Sequence, residues 1–259
     1  MNFDKEMKVA EAAIKKSGKL LLEYFDQEEK LVKHAKGVND FATEADLASE
    51  GMIVDSIKKN FQSHSIISEE MGSFGESEFK WIIDPLDGTK NFASHIPLWV
   101  PMIALRHKND IVFSIISLPV MRELCIAEKG KGTFLNGKRV YVSKNKDAKD
   151  MVYFCGLRKY DNPLIKKSFD STVKAFYGQL CLINSIGVAA VLTASGRMDA
   201  IINVGFANNY IWDMAPTYLA IKEAGGLVTD ISGKPWSESS KDFIAANPKL
   251  HRKIISMLG

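Results

Sequence analysis

The stretch Trp81-Ile82-Ile83-Asp84-Pro85-Leu86-Asp87-Gly88-Thr89-Lys90-Asn91-Phe92 constrains this chain most. Three apolar residues, two of them β-branched, read as the end of a buried strand. Two carboxylates follow, three positions apart, around a proline that presets φ, with a glycine after the second. A strand that ends in Asp-x-x-Asp aims two hard oxygen ligands at one point, which is what Mg²⁺ requires. The backbone N–H groups of Gly88 and Thr89 stand where a short helix can begin, a natural anion site. The same residues also make a good surface turn, so the stretch needs support from the rest of the chain.

That support lies in acidic residues placed where other elements start or stop. Ser65-Ile66-Ile67-Ser68 reads as a short strand with Glu69-Glu70 at its end. Asp213 stands at the start of a helical segment, with Pro216 in its first turn. An ordinary N-cap explains Asp213 as well as a metal ligand does, and the two readings are compatible. Carboxylates that converge repel unless a cation lies among them, so a pocket built from these groups favours a metal.

Around them the periodicity divides the chain into halves. In residues 1–142, a long amphipathic helix (7–25) and a second helix (44–60) come first. The second has Thr43 as N-cap, Asp46 as capping-box partner and Leu47, Ile53, Val54, Ile57 and Phe61 as its core face. A possible strand at 30–36 and a loop at 37–40 separate them. Strands at 99–106, 111–117 and 123–127, with turn signals at Asn109-Asp110 and Asn136-Gly137, predict an antiparallel meander. In residues 143–259, strands (151–155, 180–183, 198–204, 227–229, 243–246) alternate with helices (163–176, 187–195, 212–224, 248–257), predicting a mixed sheet. The fold class is therefore α+β, with most candidate metal ligands in the first half and Asp213 in the second.

Composition excludes several functions. Lysine and arginine total 34 against 31 acidic residues, a formal charge of +3, so no broad polyanion-binding surface is expected. The three cysteines, Cys125, Cys155 and Cys181, are widely spaced beside apolar or small residues. They read as buried free thiols of a reducing compartment rather than a disulfide framework or zinc site. The charged N-terminus has no apolar signal-peptide core, and no apolar run reaches a membrane span, so a cytoplasmic, membrane-free protein is expected. The five histidines lack ligand spacing. His95 lies near the 81–92 stretch, where it could face a substrate, and no catalytic role is expected for it. Trp99 and Phe113 read as core.

Taken together, Ser68-Glu69-Glu70, the 81–92 stretch and Trp212-Asp213 with downstream Glu223-Ala224-Gly225-Gly226 resemble the inositol monophosphatase family. That is a Mg²⁺-dependent, lithium-sensitive phosphomonoesterase superfamily that includes fructose-1,6-bisphosphatases. Lys36-Gly37-Val38-Asn39-Asp40 with Thr43 and Asp46 resembles its N-terminal site segment, and Asn136-Gly137 and residues 187–190 fall in the family's order. The resemblance spans nearly the whole chain. It implies a layered α/β/α/β/α sandwich and a homodimer. It implies about two or three Mg²⁺ ions held by Glu69, Asp84, the Leu86 carbonyl, Asp87 and Asp213. It assigns catalysis to Thr89 with Asp46, which would orient and help deprotonate a water, and to Glu69 and Lys36, with Asp40 in the same region. Phosphate would sit on the Gly88 and Thr89 amides, and the substrate side would include Asp87, Ser185, Gly187, Ala189 and Asn208. The implied reaction is hydrolysis of a small phosphorylated metabolite, inositol-1-monophosphate first.

Two departures bear on the substrate. Residues 203–211 contain no carboxylate before Trp212-Asp213, where inositol phosphatases usually have one, and leave Asn208 or Asn209 as the hydrogen-bonding group. Met214-Ala215-Pro216 replaces the usual small residues, and Thr89-Lys90-Asn91-Phe92 with Ile96-Pro97-Leu98-Trp99 resembles the histidinol-phosphate phosphatase branch. Histidinol phosphatase, sugar bisphosphatase and nucleotide 3′-phosphatase are therefore the alternatives within the fold. A protein- or RNA-binding factor with an idle site is the alternative of another class; no sequence feature points to such a partner.

Overall fold

A computed structural model describes residues 2–27, 32–37, 40–156, 179–181, 183–204 and 210–258. Its described elements run α1 (Asp4–Phe25), β1 (Lys33–Gly37), β2 (Asp40–Thr43), α2 (Glu44–Asn60), β3 (Ser65–Ser68), β4 (Gly72–Phe74), β5 (Phe79–Asp87) and α3 (Thr89–Phe92). Then follow β6 (Val100–His107), β7 (Asp110–Leu118), β8 (Glu123–Glu128), β9 (Gly132–Leu135) and β10 (Lys138–Val140). The second half supplies β11 (Val152–Gly156), β12 (Gln179–Cys181), α4 (Ile186–Ala194), β13 (Ala200–Asn203), α5 (Ile211–Glu223), β14 (Leu227–Thr229), β15 (Phe243–Ala246) and α6 (Pro248–Leu258). The helix expected over 163–176 lies outside the described residues.

Two sheets organise these elements. The larger has eight strands in the order β10-β9-β8-β7-β6-β5-β3-β4, antiparallel except for the β3–β5 pair. The smaller has five, β12-β11-β13-β15-β14, parallel at β12-β11-β13 and antiparallel beyond. Strand alternation gives the large sheet two apolar faces. Trp81, Ile83, Ile103 and Leu105 pack against Ala10, Ile14, Ile53 and Ile57 of α1 and α2. Ile82, Met102 and Ala104 of the same strands face the opposite way, onto α4 and α5. Those two helices also cover Phe154, Ile201 and Ala245 of the small sheet, whose other face packs under Leu250 and Ile254 of α6. The layers are therefore helix, sheet, helix, sheet, helix, the α/β/α/β/α sandwich that the resemblance implies.

Some local expectations change. Residues on both sides of 38–39 pair as a β1–β2 hairpin, where a strand and a loop were expected. Leu47 is 39% exposed, and α2 turns Asp46, Ser49 and Glu50 inward instead. The helix carrying Asp213 begins at Ile211 with Tyr210 as N-cap, so Asp213 is a third helical residue and Pro216 lies in the second turn. Cys125 and Cys155 are buried, and burial pushes both thiols up to about 12; Cys181 is only half-buried.

Candidate metal and phosphate site

The site is built on an irregularity at the end of β5. The β5–β6 register runs evenly to Asp84↔Met102 and resumes at Asp87↔Val100, so Pro85 and Leu86 form a bulge. A bulge strands backbone groups, and here each one has a partner. Pro85 has no N–H, and its carbonyl accepts the Ser49 hydroxyl at 2.8 Å. The Leu86 N–H donates to Asp84 Oδ1 at 2.9 Å, and the Leu86 carbonyl accepts from the Thr89 hydroxyl at 3.1 Å. The Leu86 side chain anchors the bulge among Leu21, Ala45, Phe92 and Trp99. Pro85 and Leu86 thus oppose the single Pro101 of β6, and this one extra residue turns Asp84 and Asp87, three positions apart, to the same side.

Gly88 then takes φ 93°, and a Cβ there would come within 2.8 Å of the Leu98 carbonyl oxygen. Only glycine fits such a turn without strain. It starts the single turn of α3, as the sequence predicts.

Asp213, on the first turn of α5, comes to the same place. Carboxylate oxygens of Asp84, Asp87 and Asp213 all lie within 4.8 Å of one another. Asp84 is 1% exposed, Asp213 7%, and Asp84 Oδ2 is buried with no hydrogen-bond partner among the described residues. Burial, and after it the charges on Glu69, Asp213 and Asp87, hold the Asp84 carboxyl well above the usual carboxylate range. Three carboxylates around one point, one of them carrying a buried oxygen without a partner among the described residues, fit a divalent cation of the Mg²⁺ type. These are three of the four carboxylates implied as ligands.

The fourth, Glu69, stands near enough for its charge to act on Asp84, and it also pairs with a cation of the chain. It accepts from Lys36 Nζ at 2.9 Å, and the same ammonium is bonded to Glu70. Burial opposes the Lys36 charge, but the two glutamates outweigh that and hold its pKa above the ordinary lysine value. Burial pushes Glu70 up to about 7 against the pull of Lys36. The backbone of Asp40 lies in β2.

Asp46 and Thr89 meet as expected. Asp46 Oδ1 accepts the Thr89 hydroxyl at 3.1 Å, while Oδ2 accepts the Thr43 N–H at 2.7 Å and the Thr43 hydroxyl at 2.5 Å. Burial raises the Asp46 pKa to about 6, with the Thr43 hydrogen bonds pulling the other way. One N-cap motif therefore also fixes the base that faces Thr89.

The substrate-side residues divide. Asp87 Oδ2 accepts from the Ser185 hydroxyl and the Gly187 N–H, both at 2.6 Å. Ser185 and Gly187 thus hold Asp87 instead of presenting free groups. Gly187 also permits close packing, since a Cβ there would stand 2.4 Å from Val100 Cγ2 and 2.5 Å from Met102 Sδ. Ala189 is fully buried in the core between the sheets, so its methyl has no route to a substrate; the small residue serves packing. Asn208 lies outside the described residues. The His95 Nδ1–H donates to the Phe25 carbonyl at 3.1 Å and the ring packs on Phe25, which ties the side chain to the end of α1.

One residue of the site escaped the sequence. Glu50 is fully buried, and its Oε1 accepts the N–H groups of both Glu70 and Met71, at 3.0 and 3.2 Å, which fixes the backbone just after Glu69. The signal was present: Asp46 and Glu50 are one helical turn apart, so they share the inward face of α2.

Fold and site together define the layered scaffold of metal-dependent sugar and inositol phosphatases. The chain superposes on the extragenic suppressor protein suhB of Bartonella henselae with a TM-score of 0.91 and 30% identity, covering 98% of each chain. In sequence it is 31% identical to the Nus factor SuhB of Escherichia coli strain K12, over 96% of this chain and 94% of that protein. It is 31% identical to the fructose-1,6-bisphosphatase/inositol-1-monophosphatase of Thermotoga maritima, over 95% and 92%. The inositol monophosphatase family profile matches residues 3–258, and the chain belongs to that family.

Proposed function

We propose that the protein is a Mg²⁺-dependent phosphomonoesterase that hydrolyses a small phosphorylated metabolite, with inositol-1-monophosphate as its first candidate. The observation that carries this reading is the convergence of the Asp84, Asp87 and Asp213 carboxylates within 4.8 Å of one another. Mg²⁺ held by these oxygens would neutralise the phosphate and lower the pKa of a bound water. Asp46, receiving the Thr89 hydroxyl, leaves the Thr89 oxygen able to accept from a water and pass its proton toward the carboxylate. The Gly88 and Thr89 N–H groups at the start of α3 would hold the phosphate. Phosphoryl transfer needs chiefly position and charge neutralisation, so no cysteine or serine nucleophile is required.

The Escherichia coli relative is called a Nus factor, which favours a second reading, a regulatory binding protein that retains the fold. A Mg²⁺-dependence assay on inositol-1-phosphate, histidinol phosphate, fructose-1,6-bisphosphate and a nucleoside 3′-phosphate separates the two. Turnover of inositol-1-phosphate that EDTA abolishes is expected. No turnover of any substrate would remove the enzymatic reading in favour of the binding one.

A further inference from the structure

A second cleft, of about 310 Å³, opens where the β6–β7 hairpin, the C-terminal half of α5 and the segment after β14 meet. It is remote from the carboxylates. Arg106, on its wall, lies four residues along β6 from Met102, the partner of Asp84, or about 13 Å at the rise of a strand. Its chemistry is opposite to that of the metal site.

One wall is aromatic. Tyr218 and Trp236 pack with ring centroids 4.9 Å apart, and Trp236 is fixed from behind by Phe243 at 6.0 Å. The rest is cationic with a surplus. Arg106 Nη1 pairs with Glu238 at 2.6 Å and Lys129 with Asp110 at 2.6 Å. Lys222 is the third cation, and its ammonium donates to the Tyr218 hydroxyl at 2.7 Å, a neutral partner. Among the lining residues three cations thus face two carboxylates, leaving a net charge of +1. Arg106 Nε is buried and has no hydrogen-bond partner among the described residues. The hydrogen bond from Lys129 holds Asp110 below the ordinary carboxylate range against the opposing effect of burial, and the charges of Lys129 and Lys222 add to that pull.

We infer that this cleft binds a small anion carrying a flat aromatic ring: the ring lies against Tyr218 and Trp236, and the anionic group pairs with Lys222. The volume falls at the lower end of small-molecule sites, enough for one ring and one phosphate or carboxylate. A ring supplies stacking and a cation supplies a charge-assisted hydrogen bond, so either half of the ligand alone binds poorly. The shared chemistry admits aromatic phosphates and aromatic carboxylates.

Calorimetric titration of the full chain with phenyl phosphate, benzoate, phenol and inorganic phosphate tests this. EDTA is present throughout, so no turnover occurs and the outcome does not depend on the phosphatase reading. Saturable binding of phenyl phosphate or benzoate is expected, at least about tenfold tighter than phenol or phosphate; whichever of the two binds tighter identifies the class of the anionic group. Lys222 is exposed, so Lys222→Ala should fold normally, and it should weaken binding about tenfold or more. Trp236→Phe should abolish any tryptophan fluorescence response, and Asp213→Asn should leave binding unchanged. Ring-bearing anions that bind no tighter than phosphate, or binding undiminished in Lys222→Ala, would overturn the assignment.

Discussion

Two acidic clusters lie side by side in this protein, and they are neutralised in different ways. Glu69 and Glu70 share the ammonium of Lys36, a cation that the chain itself supplies. Asp84, Asp87 and Asp213 each bring a carboxylate oxygen within 4.8 Å of the others, and Asp87 accepts from the Ser185 hydroxyl and the Gly187 N–H. Like charges brought together at low solvent exposure raise each other's energy unless a cation is added or a proton taken up. In the first cluster one ammonium of the chain offsets part of the charge of two glutamates. The second has the three-carboxylate donor set that suits a divalent cation.

The sharpest way to break this contrast is to remove a member of the second cluster. Asp213→Asn is expected to lower kcat/KM on the preferred phosphate ester by about 10³-fold, measured at saturating Mg²⁺. The matching change in the first cluster should be milder. Lys36→Ala is expected to reduce turnover by about tenfold and to enlarge the rise in melting temperature on adding Mg²⁺, because two more carboxylates then need a cation. Equal losses in both variants would erase the distinction between the clusters.

The pH dependence of stability sharpens it further. Asp46 rises from an ordinary 3.8 to about 6 and Glu70 from 4.5 to about 7, while Asp84 is raised as well. Between its unfolded and folded pKa each group holds more protons in the folded state, so stability falls as pH rises through that window. In EDTA the melting temperature should therefore decline from pH 4 toward pH 7, and saturating Mg²⁺ should flatten the decline. Glu50→Ala, which frees the backbone after Glu69, should weaken Mg²⁺ binding about tenfold, with Glu50→Gln restoring most of it through its remaining carbonyl. Gly187→Ala is the smallest perturbation of chemistry: its methyl meets Val100 and Met102, and a loss of about 1–3 kcal/mol in urea unfolding is expected.

The sequence is most legible where a local rule and the tertiary demand agree. Ile82-Ile83 before Asp84 marks a buried strand, and Thr43 with Asp46 marks a helix start; both stand in the structure. Alternation in the first half and strand–helix exchange in the second made the antiparallel meander and the mixed sheet legible, whereas the five-layer order came from the family resemblance. What spacing could not carry was convergence. Asp213 is 126 positions from Asp87, and only the family resemblance put them together. Leu47 misled because hydrophobic periodicity assigns a leucine to the core, whereas α2 gives its inward face to Asp46, Ser49 and Glu50. That choice makes sense only once the Pro85 carbonyl, the Thr89 hydroxyl and the Glu70 amide are known to need those three side chains. Gly187 and Ser185 were read as substrate contacts, and the bonds they make to Asp87 depend on how closely α4 approaches the bulge. A backbone approach of that kind leaves no periodic trace in a sequence.

Calorimetric titration of Mg²⁺ into the metal-stripped chain and its Asp84→Asn variant bears most directly on the cation cage. Saturable binding to the parent chain, lost in Asp84→Asn while that variant melts at a higher temperature than its parent in EDTA, is the expected result. Undiminished Mg²⁺ binding by Asp84→Asn would contradict it.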